Sequence, residues 1–171
     1  MQKKAREEVQ AVFGDSHAEA YASFEETKEF TYLEMVIKES LRLYPPVTFF
    51  LPRQVMKPTM LGDCLIDSNI LVMISVHQVH RNPKHWNEPE KFDPMRFSKD
   101  IAPFSWIPFG IGARTCMGKQ FSLLEQKVFL SMILRNYEVK LPADSPHRDE
   151  PKFTATGVQS INGLELIFNK I

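Results

Sequence analysis

The most informative stretch of the chain runs Phe109-Gly110-Ile111-Gly112-Ala113-Arg114-Thr115-Cys116-Met117-Gly118. It places one thiol after a glycine-rich turn and directly before an amphipathic stretch, Met117 to Tyr137, that predicts a helix. A cysteine at a helix N-terminus faces unpaired backbone N–H groups and the positive end of the helix dipole, and both stabilise a thiolate. The pattern therefore predicts that Cys116 can serve as a single axial thiolate ligand for an iron centre such as haem.

The residues around the thiol suit the same chemistry. Gly110 and Gly112 allow positive φ angles and let the backbone approach a flat ligand. Arg114 can form a charge-assisted hydrogen bond with a carboxylate beside the thiol, and Phe109 can cover the sulfur and exclude water. Gly118 leaves room where the following helix must lie flat against a neighbour. A single cysteine is otherwise most often a small buried hydrophobic residue, and that alternative applies to this one taken alone.

The spacing F-x-x-G-x-R-x-C-x-G resembles the haem-ligating loop of the cytochrome P450 family. The resemblance implies that Cys116 is the proximal ligand of the iron in haem b and that no other residue of the chain is catalytic. It also implies that the remaining positions of the loop help to bind the cofactor: Phe109, Gly110, Gly112, Arg114 and Gly118.

Two further motifs carry the resemblance. Glu39 and Arg42 lie three residues apart on a predicted helix, where they share a face, and they match the family's E-x-x-R motif. Arg96 lies in Pro94-Met95-Arg96-Phe97 and matches the P-x-R-F segment, although methionine replaces the usual preceding glutamate. The resemblance implies a buried network of these three charges that pins the segment 80–108 under the haem. Taken alone, the first pair would be an ordinary surface ion pair.

Other roles follow from the resemblance only. It implies that Arg53 and Arg114 bind the two haem propionates, and that Val47, Thr48 and Phe49 border the substrate cavity. The residues themselves leave alternatives open, because an arginine at a strand edge is usually a surface residue and an apolar stretch is often simply core.

The periodicity predicts a mainly α chain with small β-sheets, which is an α+β fold. Helices are predicted over residues 1–13, from Thr31 to the Pro45-Pro46 pair with Glu34 completing a capping box, and over residues 117–137. The last of these helices is expected to bury Phe121, Leu124, Val128 and Met132, with Glu125 and Lys127 at the rim.

The remaining segments are predicted to be strands or irregular. Short strands are expected between Val47 and Val79, with His77 and His80 at a strand end and Cys64 packed in the core or in a strand. Residues 15–26 are expected to form a loop and 80–108 a packed irregular segment. Strands are again expected over 138–171, where Asn162-Gly163 indicates a hairpin turn. The resemblance makes residues 1–171 a partial P450 domain, from the helix before the E-x-x-R helix to the C-terminus.

Composition excludes several classes of function. The chain has 171 residues with 21 basic and 21 acidic side chains, so its zero net charge gives no indication of nucleic-acid binding. Two cysteines do not make a disulfide framework, and five histidines show no zinc-binding spacing. No apolar run is long enough to cross a bilayer, and the first residues are too polar for a signal peptide.

The resemblance implies a monooxygenase that inserts one oxygen atom of O₂ into an apolar organic substrate. Its electrons would come from NAD(P)H through a reductase or ferredoxin that docks on the proximal face, and the parent enzyme would be attached to the endoplasmic reticulum. Family members are more than twice as long, and the helix on the distal side of the haem is absent, so this chain alone is expected to be inactive. Two alternatives are a haem-thiolate enzyme that rearranges or dehydrates its substrate and a non-catalytic truncated product.

Overall fold

The computed structural model describes residues 1–14, 21–147, 153–154, 157–160 and 163–171. Within these residues there are five α-helices and eight short strands, and the strands form four two-stranded antiparallel sheets. This architecture confirms the predicted α+β class. Among the described residues, none of the helices has both the length and the apolar character that a bilayer crossing requires.

Three helices form the core. They are α1 (Gln2–Phe13), α3 (Thr31–Leu43) and α5 (Lys119–Asn136), which pack against one another. Helix α1 ends as predicted at Gly14, whose φ of 54° few residues other than glycine adopt easily. The core is built from the apolar faces of these helices and the residues beside them: Ala5, Val9, Phe13, Phe30, Leu33, Ile37, Leu41 and Leu134.

Helix α2 (Phe24–Glu29) begins inside the segment predicted to be a loop, so that prediction is wrong for residues 24–26; residues 15–20 lie outside the described part of the chain. Its start is a capping box. The Glu26 amide donates to Ser23 Oγ at 3.2 Å, and the Ser23 amide donates to the Glu26 carboxylate at 2.7 Å. A short polar segment can therefore be helical because its own side chains satisfy the first backbone donors.

The start of α3 is capped by another helix, and the predicted Thr31–Glu34 capping box is wrong. The carboxylate of Glu8, on α1, accepts hydrogen bonds from the backbone amides of Tyr32 and Leu33 at 2.7 and 2.9 Å. Glu34 is not available as a cap because its carboxylate binds two lysine side chains instead. An anion at a helix N-terminus is favourable wherever it comes from in the sequence.

The middle of the chain forms two small sheets. Strand β1 (Arg53–Gln54) pairs with β4 (Leu71–Val72), and β2 (Thr59–Leu61) pairs with β3 (Cys64–Ile66) across the predicted Gly62-Asp63 turn. Cys64 is exposed on its strand, so the expectation that it packs in a core is wrong. After Ser75 the chain forms helix α4 (Val76–Val79), where a strand end was predicted, and the Ser75 hydroxyl caps the start of this helix.

The face that α5 buries differs from the predicted one. Phe121, predicted to be buried, is 70% exposed, whereas Lys127, predicted at the rim, is buried. Apolar side chains lie all around this helix, so their spacing does not identify one inward face. The other predicted core positions are half-buried: Leu124, Val128 and Met132.

Lys127 is buried because its charge has partners. Its ammonium donates to the Thr27 carbonyl at 2.9 Å and to the Glu34 carboxylate at 2.5 Å, and Lys38 pairs with the same carboxylate at 2.6 Å. Burial acts to raise the pKa of Glu34, but the two lysine ammonium groups outweigh it and hold the pKa below its ordinary value. This arrangement ties α2, α3 and α5 together.

The C-terminal residues form a third and a fourth sheet. Strand β5 (Tyr137–Lys140) continues directly from α5 and pairs with β8 (Ile167–Lys170). Strands β6 (Phe153–Thr154) and β7 (Gly157–Ser160) pair with each other. The predicted hairpin turn at Asn162-Gly163 falls partly outside the described residues, because Asn162 is not among them.

Candidate functional site

The thiol loop, residues 109–118, is closed by its own backbone. The Cys116 amide donates to the Phe109 carbonyl at 2.8 Å, and the Thr115 amide donates to the Gly112 carbonyl at 3.1 Å. Gly110 and Gly112 have φ values of 74° and 70°, in the left-handed region that glycine adopts without strain. The glycines therefore give the loop its tight path, as their positions in the sequence predict.

The thiol lies just ahead of a helix start. Helix α5 begins at Lys119, whose amide donates to the Cys116 carbonyl at 3.3 Å. Residues 111–117 are all exposed, and both cysteines of the chain are free thiols. A Cβ atom added at Gly118 would lie 3.8 Å from the Cys116 sulfur. The loop therefore presents an accessible sulfur just ahead of the N-terminus of α5.

Phe109 is half-buried and is held by a row of aromatic rings. Its ring meets Trp106 edge-on at a centroid distance of 6.3 Å, Trp106 meets Phe97 at 5.9 Å, and Phe97 lies 5.8 Å from Trp86. The indole N–H of Trp106 donates to the Lys38 carbonyl of α3 at 3.0 Å. The loop is thus braced on its inner side, although its outer side is open to solvent.

The segment after Pro46 approaches the same loop. Phe50 Cζ lies 3.8 Å from the position of a Cβ atom built on Gly110. The Phe50 amide donates to the Ile74 carbonyl at 3.0 Å, and Phe49 forms an isolated antiparallel β-bridge with Ser75. A side chain larger than hydrogen at Gly110 would be strained by its φ and would touch an aromatic ring.

The structure brings Glu39, Arg42 and Arg96 together. Glu39 and Arg42 have no exposed side-chain surface, and they form two hydrogen bonds, Arg42 Nε–Oε2 at 2.7 Å and Arg42 Nη2–Oε1 at 2.9 Å. Arg96 Nε reaches Glu39 Oε1 at 3.1 Å. The Asp93 amide donates to the same oxygen at 2.7 Å, so one carboxylate organises two arginines and a turn.

The two guanidinium groups hold the irregular segment through its carbonyls. Arg42 donates to the carbonyl oxygens of His80, Pro89 and Lys91 at 2.9, 2.7 and 3.2 Å. Arg96 donates to three carbonyl oxygens of the same segment, those of Asn87, Glu88 and Lys91. Residues 80–96 carry little regular structure, and the arginines supply the donors that a helix or sheet would otherwise provide.

His80 is a fully buried residue for which the sequence predicts only a position at a strand end. Its Nδ1 lies 3.0 Å from the Arg42 carbonyl, and its Nε2 lies 2.8 Å from the Ile107 amide. Burial lowers the pKa of His80 from 6.5 to about 4, and the nearby positive charges of Arg42 and Arg81 also oppose protonation. The imidazole is therefore neutral at physiological pH.

The other predicted site residues lie at the surface. Arg53, in β1, and Arg114 are exposed, and in the part of the chain that the structure describes neither guanidinium makes a hydrogen bond. Val47 and Phe49 are each 48% exposed, and Thr48 is half-buried. A groove of about 440 Å³ lies elsewhere, beside Trp106 and the start of α5, and none of the five residues lines it.

These residues fit a flat cofactor with an iron centre. The sulfur is exposed, and the backbone around it takes the left-handed turns that allow close approach. The guanidinium groups of Arg53 and Arg114 are exposed and make no hydrogen bond within the described residues, so they are available for carboxylates. Among the described residues, no three His, Cys, Asp or Glu side chains cluster as ligands for a bare metal ion. A single thiolate is sufficient when a macrocycle supplies the remaining ligands.

Comparison with known proteins identifies the family. The family model described as Cytochrome P450 matches residues 1–168. Human "Cytochrome P450 4B1" is 37% identical over 170 residues, which cover 96% of this chain and 32% of that protein. The pig "Taurochenodeoxycholic 6 alpha-hydroxylase" is 35% identical over 173 positions, 99% of this chain and 33% of its own length.

A third relative agrees with these two: rat "Cytochrome P450 4A10" is 36% identical over 172 positions, which cover 99% of this chain and 33% of the relative. The chain thus spans about one third of the length of the curated proteins that it matches. The matches to the family model and to these relatives extend over nearly all of its residues. The chain therefore belongs to the cytochrome P450 family.

Proposed function

We propose that the chain carries the thiolate side of a haem-thiolate monooxygenase, which inserts one oxygen atom of O₂ into an apolar organic substrate. Membership of the family supports the reaction class. The observation that carries the proposal is the position of Cys116, exposed at the end of a backbone-closed loop and just ahead of a long helix. That position leaves the sulfur accessible to a cofactor.

The proposed cofactor is haem b, with Cys116 as the proximal ligand. Arg53 and Arg114 would bind its propionates through charge-assisted hydrogen bonds, and Gly110 and Gly112 would let the backbone lie close to the ring. When bound, a haem with a thiolate ligand supplies the capacity to activate O₂. The residues of this chain hold the sulfur in place, shield it and neutralise the carboxylates of the cofactor.

Shielding of the sulfur is assigned to Phe109. Its carbonyl accepts a hydrogen bond from the Cys116 amide, and its ring packs edge-on against Trp106. These two contacts support a position of the ring beside the thiol. An apolar ring beside the sulfur would exclude water and so affect how much negative charge the sulfur retains, since burial tunes metal ligands. Gly118 completes the loop by leaving space next to the sulfur.

The buried network of Glu39, Arg42 and Arg96 is proposed to keep the irregular segment 80–108 in place under the haem. Six hydrogen bonds from its guanidinium groups to carbonyl oxygens of that segment support the role. Such a network fixes geometry more than it adds stability, because removing two charges from water is itself costly.

The substrate is proposed to be an apolar small molecule bordered by Val47, Thr48 and Phe49. Their partial exposure beside Phe50, which approaches the thiol loop, supports this position. The name of one relative, a taurochenodeoxycholic 6 alpha-hydroxylase, supports hydroxylation as the reaction type. Electrons would come from NAD(P)H through a reductase or ferredoxin on the proximal face, and the parent enzyme would work at the endoplasmic reticulum membrane.

The 171 residues alone are proposed to be inactive. An oxygenase needs a site from which water is excluded. In this chain, large apolar side chains are instead exposed at several places, among them Leu51, Phe121, Phe129 and Phe168. The test supplies haem, a reductase and an electron donor to the chain and measures hydroxylated products from a panel of apolar substrates. Substrate-dependent turnover would contradict the proposal.

The ligand assignment is tested by Cys116→Ala in the complete enzyme that carries this chain. We expect the reduced carbon monoxide adduct to lose its thiolate-type Soret band. Cys64→Ala is the matched control, because that residue is also an exposed free cysteine and its removal should leave the band unchanged. A thiolate-type band that persists in Cys116→Ala would overturn the assignment.

The reaction type is tested by analysing the products of the native enzyme, which separates oxygenation from rearrangement or dehydration. Absence of haem binding would indicate a non-catalytic chain.

A further inference from the structure

The short segment that leads into the thiol loop is held from behind at two adjacent residues. The indole N–H of Trp106 donates to the Lys38 carbonyl at 3.0 Å, and the Ile107 amide donates to His80 Nε2 at 2.8 Å. His80 and Ile107 are both buried, so the second of these bonds is protected from water. Neither partner of His80 lies close to it in sequence, since Arg42 is 38 and Ile107 is 27 residues away.

The hydrogen bonds determine the state of the His80 ring. Because the Ile107 N–H group points at Nε2, that nitrogen must be the unprotonated one. Nδ1 then carries the ring proton and donates it to the Arg42 carbonyl at 3.0 Å. The neutral ring thus bridges the backbone of the E-x-x-R helix and the backbone of the segment before the thiol.

The connection continues to the thiol through short backbone steps. The Ile107 carbonyl accepts a hydrogen bond from the Gly110 amide at 3.1 Å, and the Phe109 carbonyl accepts one from the Cys116 amide at 2.8 Å. The Ile107 peptide is therefore fixed on its N–H side by His80 and on its carbonyl side by the loop. A shift at Ile107 must move Phe109 and Gly110, and with them the Cys116 amide.

We propose that His80 is a positioning residue for the thiol loop. Through its two hydrogen bonds, His80 couples the buried Glu39–Arg42 pair to the placement of Cys116. This inference rests on the proposed function in so far as Cys116 is the iron ligand. Histidine suits the role because one neutral ring offers a donor and an acceptor on opposite sides, in a site where Arg42 and Arg81 disfavour a cation. An aliphatic residue would leave the Ile107 amide and the Arg42 carbonyl without their partner.

The first test is amide hydrogen exchange on the complete enzyme in its haem-free form. In His80→Leu we expect exchange at the Ile107 and Cys116 amides to accelerate by about tenfold, which corresponds to the loss of one ordinary hydrogen bond. The control is the Val139 amide, which donates to Gln2 Oε1 at 2.8 Å in a different part of the fold. Equal acceleration at all three amides, or none at Cys116, would overturn the proposal.

The second test uses the haem-loaded complete enzyme and the conservative variant His80→Gln, whose amide offers a donor and an acceptor. We expect His80→Gln to restore the native midpoint potential, while His80→Leu shifts that potential and reduces the fraction with a thiolate-type Soret band. Where His80→Leu does not fold, His80→Asn replaces it, because its shorter amide spans only one of the two partners. Equal potentials in all folded variants would overturn the proposal.

The two hypotheses fail in distinguishable ways. If Cys116→Ala keeps the thiolate-type band, the ligand assignment is wrong, whatever His80 does. If that band is lost but His80→Leu changes neither exchange at Cys116 nor the potential, the ligand assignment stands and the positioning role is wrong.

Discussion

The buried charge network and the thiol loop use polar groups in opposite ways. Glu39 and Arg42 are completely buried, and their side chains bind each other, Arg96 and the backbone of residues 80–91. Residues 111–117 are exposed, and the hydrogen bonds that shape this loop involve mainly its backbone. The comparison indicates that a loop can keep its side chains accessible to a ligand when buried partners hold its backbone from behind.

The largest expected effect follows from removing the shared carboxylate. Glu39→Ala leaves two guanidinium groups, one of them fully buried, without their counter-ion, and we expect the free energy of unfolding to fall by about 3–5 kcal/mol. Urea denaturation followed by circular dichroism measures this loss. Glu90→Ala is the control, because that exposed carboxylate also pairs with an arginine, Arg81, at 3.0 Å and should change stability by less than about 1 kcal/mol.

The double variant sharpens this result. Arg96→Ala combined with Glu39→Ala should be little more destabilised than Glu39→Ala alone, because both changes act on one network. Small, additive losses would instead mean that the charges act independently, and the contrast between the network and the loop would no longer hold.

A smaller effect is expected from acid, and it concerns His80. Its folded pKa of about 4 lies below the ordinary 6.5, so the unfolded chain binds the proton first as the pH falls. The stability contributed by the neutral ring is therefore complete above pH 6.5 and is lost between about 6.5 and 4, to a total of roughly 3 kcal/mol. Unfolding free energies measured across this interval check the prediction.

His80→Gln is the matched variant for this experiment, because its amide does not titrate. The part of the pH dependence that belongs to His80 should be absent in His80→Gln, and it should remain as the difference between the two proteins. An unchanged slope in His80→Gln would show that other groups cause the acid sensitivity, and the imidazole would not be the proton-sensitive link between the network and the loop.

The smallest expected effect lies in the loop itself. Cys116→Ala should change the free energy of unfolding of the chain without cofactor by no more than about 0.5 kcal/mol, because the side chain is exposed and the amide hydrogen bond is retained. Thermal or urea unfolding measures the difference, with Cys64→Ala as a second exposed cysteine for reference. A loss of several kcal/mol would mean that the thiol supports the fold, contrary to the comparison.

Short-range features of the sequence anticipated much of the structure. Helix α1 with its terminal Gly14, the E-x-x-R helix that stops before two prolines, the Gly62-Asp63 turn and the irregular segment after residue 80 all match the structure closely. Each depends on residues within a few positions of one another, and local propensity is therefore sufficient to determine it.

Features that needed partners from elsewhere in the chain were missed. The predicted Thr31–Glu34 cap failed because Glu8 of α1 caps α3, and the predicted rim position of Lys127 failed because Glu34 and Thr27 satisfy its charge. A charged residue on a helix is normally assigned to the surface, and only a three-dimensional arrangement reveals that its counter-ion is buried with it.

The sequence alone determined the family resemblance, the glycine-rich path of the thiol loop and the pairing of Glu39 with Arg42, because fixed spacings put these groups within reach of one another. Tertiary structure alone decided that Lys127 is buried and that His80 joins the Glu39–Arg42 pair to the segment before the thiol. The reason is physical: burial and hydrogen bonds between residues 27 and 38 positions apart exist only when the packed core brings separate segments together.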